Sequence, residues 1–370
     1  MLNQLETIIE EDKYPRDLEI KEEELGEIDD FNETPPTDII AFNELRSCAD
    51  LVRMYKNQQL DIKPDFQRDL VWSKTSQTLF IDSLVKQLPI PSMCISLDYK
   101  TGKRLVIDGL QRMSSIISFL SDDTWTLSSL TDIDERISGK TVKSIRDKHE
   151  EIYNRVENLT IPITVLRCDY AKKKHMQYLF TIFHRLNTGG NKLNNQEIRN
   201  CIFQGNFNNL LKRLARTSEF CKFLNLEKNK SYRLIYEELI LRAFAMESDY
   251  QHYNGRLAQF LNNFMNEHQN DDENTLNEKE SRFLDAIDLI FTHILDRKPL
   301  PKISKATTEA ILVGVLRNLD TLQNLGDIEL QSRFNRLRQH ENFSLENLKS
   351  GLSHKDNVIN RLETAIEIFS

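Results

Sequence analysis

The chain has 370 residues, of which 39% are hydrophobic and 29% are charged. This composition is typical of globular proteins, and the length exceeds what one hydrophobic core fills, so we expect two packed units. No apolar run approaches the roughly 20 residues that cross a bilayer. The acidic start lacks the apolar stretch of a signal peptide, and the five scattered cysteines form no C-x-x-C pair. The sequence therefore excludes a membrane protein and a disulfide-stapled secreted protein, and it predicts a cytoplasmic location.

The acidic charge is concentrated at the start of the chain. Residues 1–40 contain 14 Asp and Glu against 3 Lys and Arg, a net charge of -11, so the overall charge of -8 leaves +3 for the rest. Because like charges repel and little apolar surface is available there, we expect residues 1–36 to be a disordered tail. The alternative is a nucleic-acid mimic that covers a basic surface.

Residues 37–170 show mixed α/β patterning. A helix is predicted over Phe42–Lys56, and a second runs from the N-cap Ser73 to Gln87. The apolar runs Met93–Leu97 and Arg104–Ile107 flank a Thr-Gly turn and predict a hairpin. A helix over Met113–Leu120 and a strand over Ile161–Leu166 follow.

From residue 171 to residue 370 the periodicity is helical throughout, with a polar loop over Gln269–Asn277. The fold class is therefore α+β, an α/β unit followed by an all-helical unit. The predicted helices are Lys172–Leu186, Asn194–Phe203, Phe207–Ala215, Tyr232–Met246, Leu257–Asn266, Ser281–Leu295, Thr307–Asn318 and Asn357–Ile368.

The stretch Asp108-Gly109-Leu110-Gln111-Arg112 joins a predicted strand to a predicted helix. Free backbone N–H groups at such a helix start attract anions, and Gly109 lets a phosphate approach the backbone. Arg112 offers a planar fork to phosphate oxygens, Gln111 lies in the same first turn, and Asp108 suits a metal or a water. Read alone, the stretch fits an ordinary capped helix start better than a binding site.

Two further stretches carry polar residues beside turns. Gln67 and Arg68 lie in P-D-F-Q-R-D-L-V-W, which either faces a cleft or forms a packed aromatic turn. Arg185 and Asn187 end a long helix in F-H-R-L-N-T-G-G, where Gly189 and Gly190 supply a stop signal and backbone N–H groups. The alternative for this stretch is a plain helix–turn–helix corner.

Basic residues with interleaved aromatic residues cluster over about sixty residues, from Lys172 to Arg233. This clustering favours contact with DNA, although solvated helical faces show the same pattern. The candidate nucleic-acid-binding residues are Lys172, Lys173, Lys174, Arg199, Lys212 and Arg213.

The order of these motifs resembles the DUF262 family, the GmrS-type N-terminal domain of GmrSD proteins. P-x-F-Q-R-x-x-V-W, D-G-x-Q-R and F-x-R-L-N-T-G-G with E-I-R occur in that order, and E-L-x-L-R-x-x-A follows within Glu237–Ala245. The resemblance implies a ParB/sulfiredoxin-like fold over residues 37–170 that binds and hydrolyses nucleoside triphosphates with Mg²⁺. It assigns catalysis to Asp108, Gln111 and Arg112, with Asp108 also at the metal. Nucleotide binding falls to Gln67, Arg68, Gly109, Arg185, Asn187, Gly189 and Gly190.

The resemblance implies a subunit of a phage-defence system that restricts modified DNA. The alternative is a non-catalytic ParB-like protein that binds DNA or a partner. Leu110 stands where the family has Gln, and His184 where it often has Glu, which puts turnover more in doubt than binding. The late histidines show no HNH pattern, so we expect a stand-alone subunit that needs a separate HNH nuclease. The sequence leaves a homo-oligomer open.

Overall fold

The computed structural model describes residues 35–62, 72–186, 193–227, 232, 234–349 and 352–370. These residues fall in two compact units that divide between Leu193 and Asn194. The first unit combines a five-stranded sheet with helices, and the described residues of the second form helices only. The predicted α+β class is therefore confirmed.

The first unit contains five strands and six helices in its described residues. In chain order they are β1 (Ile40–Ser47), α1 (Cys48–Lys56), β2 (Leu60–Asp61), α2 (Lys74–Val85), β3 (Met93–Asp98), β4 (Arg104–Asp108), α3 (Leu110–Ser121), α4 (Val142–Lys148), α5 (Glu150–Asn158), β5 (Thr160–Cys168) and α6 (Lys173–Leu186).

The strand order in the sheet is β1-β5-β3-β4-β2. β3 pairs antiparallel with β4, as the predicted hairpin requires, and parallel with β5. β1 lies at one edge, antiparallel to β5, and β2 lies at the other, parallel to β4. One face of the sheet packs against helices in a single core that includes Leu51, Ile81, Met93, Ile95, Met113, Ile116, Phe119, Ile163 and Val165.

The predicted helix over Phe42–Lys56 is wrong in its first part. Residues 40–47 form β1, and the helix begins only after Ser47, whose side chain accepts a hydrogen bond from Asp50 N. Pairing with β5 decides the extended conformation, and that long-range contact outweighs the local helical pattern. The predicted cap Ser73 is confirmed, because its side chain accepts from Ser76 N.

Helix α6 belongs to the compact unit that carries the sheet, where it contacts β4. The predicted units met at residues 170 and 171, so this helix is the part of the chain in which the two divisions differ. A helix that follows a strand in a layered fold covers the sheet it leaves, because both elements bury an apolar face.

The second unit is built from helices. The α-helices among its described residues are α7 (Asn195–Ile202), α8 (Asn206–Leu214), α9 (Ser218–Phe223), α10 (Ile235–Asp249), α11 (Leu257–His268), α12 (Glu273–Asp288), α13 (Lys305–Leu322), α14 (Asp327–Gln339), α15 (Leu345–Lys349) and α16 (Lys355–Phe369). A π-helix over Leu289–Ile294 follows α12 directly. The polar loop predicted over Gln269–Asn277 is wrong in its second half. Asp272 caps α12 by accepting from Thr275 N, so the helix begins at Glu273. None of the helices in the described ranges is long and apolar enough to cross a membrane.

Candidate functional site

The turn at residues 108–112 connects β4 directly to α3. Asp108 is the last residue of β4, and Gly109 takes a left-handed φ of 96° before α3 begins at Leu110. A Cβ on Gly109 would lie 2.6 Å from Met93 Cγ. Glycine is therefore required by backbone conformation and by packing against the core. Met93 thus fills the space that a Cβ at position 109 would take.

Arg112 and Asp108 form an ion pair one helical turn apart. Arg112 Nη2 lies 2.7 Å from Asp108 Oδ2. Arg112 Nη1 donates to the carbonyl of Pro91 and, over 3.4 Å, to that of Ser92. The Arg112 side chain is 13% exposed and that of Asp108 is 35% exposed. The guanidinium thus fixes the segment before β3 against the start of α3, while its charge is balanced by Asp108.

Gln111 links this turn to the second motif. The backbone N–H of Trp72 donates to Gln111 Oε1 over 3.0 Å. The Trp72 ring packs edge-on against Phe80, with centroids 5.6 Å apart. Trp72 ends the stretch that contains Gln67 and Arg68, and both of those residues lie outside the described part of the chain. Their place beside the turn therefore stays a prediction.

The third motif is described only in part. Arg185 is exposed in the last turn of α6, the helix that contacts β4. Asn187, Gly189 and Gly190 fall outside the described residues. Closure of the site by Arg185 and these residues remains a prediction.

Strand pairing adds residues that the sequence did not single out. Asn43 pairs with Thr164, Thr164 with Cys94, and Cys94 with Asp108, so these four form one row across four strands. Thr164 Oγ1 donates to Asn43 Oδ1 over 2.9 Å and lies 3.2 Å from Ser92 Oγ. Burial, with the nearby Asp108 carboxylate, raises the pKa of the Cys94 thiol to about 12, so the thiol stays protonated at neutral pH.

The basic residues predicted to bind nucleic acid have different surroundings. Lys172, Lys173 and Lys174 are exposed at the start of α6, and the Asp38 carboxylate raises the pKa of Lys172. In the second unit, Arg213 is exposed and its Nε donates to Glu280 over 2.9 Å, while Lys212 is half-buried. These five positions remain candidates for contact with DNA.

The prediction for Arg199 is wrong, because its side chain is 1% exposed. Its guanidinium bonds to Asn262 at 2.9 Å and to Glu238 at 3.0 Å. Arg242 contacts the same Glu238 and lies 2.6 Å from Glu309. The E-I-R motif and the later E-L-x-L-R segment thus meet in a largely buried cluster of alternating charges, which joins four helices of the second unit.

The described residues contain no group of three or more His, Cys, Asp or Glu side chains that could hold a metal ion. Asp108, the predicted metal ligand, is a single carboxylate with one oxygen in the ion pair to Arg112. Such a site could hold Mg²⁺ only if a bound phosphate supplied further oxygens, which is a common arrangement for this ion.

Comparison with known protein families gives one match. Residues 48–204 match the family model described as the N-terminal domain of the GmrSD restriction endonuclease. No curated protein and no solved structure matches the chain. The matched range contains the turn at 108–112, the motif stretches on either side of it and the buried Arg199. Residues 48–204 of this chain therefore belong to the GmrSD N-terminal domain family.

Proposed function

We propose that the turn at 108–112 binds a nucleoside triphosphate with Mg²⁺, and that the chain acts as a regulatory subunit of a DNA restriction system. The matching family model is described as the N-terminal domain of a restriction endonuclease, which supports a restriction-related role for the chain. The observation that carries the nucleotide proposal is the start of α3, where no side chain caps the helix at Gly109 and Arg112 lies in the first turn. A helix amino terminus beside a guanidinium favours an anion.

In this proposal Arg112 exchanges part of its ion pair for phosphate oxygens. Its Nη atoms bond to Asp108, Pro91 and Ser92, and its Nε makes no hydrogen bond within the described part of the chain. The planar guanidinium can therefore meet a phosphate while it remains anchored to the backbone carbonyls. A phosphate that draws Arg112 away releases the Asp108 carboxylate.

The released carboxylate would then serve the metal. Mg²⁺ commonly takes one or two carboxylates from the protein and its other ligands from phosphate and water. Gln111 would orient a phosphate oxygen or a water. In this proposal the pocket is completed by the other residues that the family resemblance implies, which are Gln67, Arg68, Arg185, Asn187, Gly189 and Gly190.

Titration calorimetry with each of the four nucleoside triphosphates and Mg²⁺ tests binding. We expect the full chain to bind at least one of them with a dissociation constant below about 1 mM, which corresponds to about 4 kcal/mol. Arg112→Ala should weaken binding about tenfold or more, because a charge-assisted bond contributes about 1.5–3 kcal/mol. Arg146→Ala, which breaks an exposed pair with Asp123 in the same unit, is the matched control. Wild-type protein that binds none of the four at millimolar concentration contradicts the proposal.

The ion pair of Asp108 favours a second candidate, a protein that binds without catalysis. Arg112 occupies one oxygen of the Asp108 carboxylate, and Leu110 adds no polar group to the turn. Phosphate release by the full chain separates the two candidates. Hydrolysis that is lost in Asp108→Asn, with binding kept within a few fold, supports the nucleoside triphosphatase. Binding without phosphate release supports the non-catalytic candidate, for which DNA retention by the full chain is the next measurement. A separate HNH nuclease subunit would supply DNA cleavage in either case.

A further inference from the structure

We propose that Asn43, Ser92 and Thr164 bind the sugar of the nucleotide, with the base resting on Leu45 and Pro162. We call the first three residues the sugar ledge. This inference rests on the proposed function, because it assumes that the phosphates lie at the turn at 108–112. It identifies the second half of the ligand as a neutral nucleoside and gives its position on the sheet.

Strand register places the ledge in line with the turn. Asn43, Thr164, Cys94 and Asp108 are successive partners on β1, β5, β3 and β4. Directly opposed residues present their side chains on the same face of a sheet. Three strand spacings of about 4.8 Å put Asn43 about 14 Å from Asp108, which is room for a phosphate chain and a sugar.

Hydrogen bonds join the ledge to the turn in one chain of contacts. Asn43 accepts from Thr164 at 2.9 Å, and Thr164 lies 3.2 Å from Ser92. The Ser92 carbonyl accepts from Arg112, which pairs with Asp108. Ser92 therefore contacts both Thr164 of the ledge and the Arg112 guanidinium that would hold the phosphates.

The ledge is accessible to a ligand. Asn43 and Ser92 are exposed, and Thr164 is half-buried. β1 and β5 continue beyond the first residue of β3, because Pro162, Ile161 and Thr160 still pair with β1 while Met93 pairs with Ile163. β1 and β5 thus extend past the start of β3, and the turn at 108–112 lies at the same end of the sheet.

The side chains change from charged to neutral polar between the turn and the ledge, which is also the order of phosphate and sugar in a nucleotide. Charge lies at Arg112 and Asp108, followed by the neutral hydroxyl and amide groups of Ser92, Thr164 and Asn43. Hydroxyl and amide groups both donate and accept, which suits sugar hydroxyls. A nucleic-acid strand would carry a phosphate at each step and would require cations along the row.

An apolar surface follows the ledge. Leu45 lies two residues after Asn43, hence on the same face of β1, and pairs with Pro162 of β5. Leu45 is 68% exposed, so this apolar side chain is open to a ligand. A base that stacks there would cover it, whereas a free triphosphate would not reach it.

Calorimetry with two ligands tests the inference. Wild-type protein and the variants Thr164→Val and Asn43→Ala are titrated with the nucleoside triphosphate that binds best and with inorganic tripolyphosphate, both with Mg²⁺. Valine keeps the shape of threonine, and Thr131→Val, the same change at an exposed residue in the same unit, is the control. We expect each ledge variant to weaken nucleotide binding about five- to tenfold, the effect of one hydrogen bond. Tripolyphosphate binding should stay unchanged, and Thr131→Val should match wild type for both ligands.

The outcomes separate this inference from the proposed function. Ledge variants that bind the nucleotide as wild type does overturn the sugar assignment, while the phosphate site stands. Equal losses for nucleotide and tripolyphosphate also overturn it, because the variants then act on the phosphate site or on the fold. Wild-type protein that binds neither ligand contradicts the proposed function, and the ledge assignment fails with it.

Discussion

The backbone N–H of Trp72 donates a 3.0 Å hydrogen bond to Gln111 Oε1, joining two motifs that lie 39 residues apart. One motif ends at Trp72, and the other is the turn between β4 and α3. A glutamine in the first turn of a helix usually faces water, and here it accepts from the backbone of Trp72, just before α2. The bond gives Gln111 a positioning role that the sequence did not indicate.

Replacing Gln111 should loosen the backbone at Trp72, which lies just before α2. We expect Gln111→Ala to lower the free energy of unfolding by about 1 kcal/mol, because one partly buried N–H loses its acceptor. Trp72 should become more accessible to acrylamide, measured by fluorescence quenching in a Trp125→Phe background that leaves it as the single tryptophan. Gln111→Glu keeps an acceptor oxygen and is the control. Equal quenching of Trp72 in wild type and Gln111→Ala would show that the bond does not hold Trp72 in place.

Gly109→Ala should destabilise the protein more than Gly102→Ala. Both glycines have positive φ, 96° and 73°, so an L-residue at either position pays about 1–2 kcal/mol. A Cβ at Gly109 also meets Met93 at 2.6 Å, whereas nothing lies within 4 Å of a Cβ at Gly102. The difference between the two variants in urea unfolding therefore measures the clash with Met93. Equal losses would mean that the Met93 side chain moves aside at no cost.

Arg199→Ala should cost far more stability than Arg213→Ala. Removing Arg199 leaves Glu238 without a fully buried partner, and breaking such a buried pair costs about 3–5 kcal/mol. Arg213 forms an exposed pair with Glu280, for which the loss is about 0–1 kcal/mol. Urea unfolding of the full chain gives both values. If the two variants unfold alike, the buried charge cluster does not stabilise the second unit.

The stability that Asp38 contributes through Lys172 and His175 should decrease at low pH. Its carboxylate accepts from Lys172 and from His175 Nε2, the latter at 2.8 Å, and the Lys172 hydrogen bond is the larger cause that lowers the pKa of Asp38 to about 2. A lowered folded-state pKa contributes stability above the ordinary value of 3.8, and that contribution is lost as pH falls toward about 2. The difference in melting temperature between wild type and Asp38→Asn should therefore shrink from pH 5 to about pH 2. A difference that stays constant over this range would contradict the assignment.

Local sequence signals predicted several elements correctly. Ser73 marked the start of α2, the Thr-Gly turn marked the β3–β4 hairpin, and the turn at 108–112 joins a strand to a helix as its residues indicated. These features depend on capping, turn conformation and periodicity, which neighbouring residues determine. The helical periodicity after residue 171 likewise gave the correct class for the second unit.

Long-range contacts decided the features for which the predictions from the sequence were wrong. β1 is a strand because it pairs with β5, more than a hundred residues later in the chain. Arg199 looked like a surface cation, yet Asn262 and Glu238 enclose it in the second unit. Neither partner can be identified from the residues around position 199.

The sequence by itself determined that residues 108–112 form a turn between a strand and a helix, because glycine and the flanking pattern act locally. Tertiary structure alone decided what the turn faces. Met93 fills the space beside Gly109, and the Asp108 carboxylate pairs with the Arg112 guanidinium. The backbone N–H of Trp72 donates to the side-chain oxygen of Gln111. Strand register placed Asn43 and Thr164 in line with this turn, since pairing brings together residues that are distant in the chain.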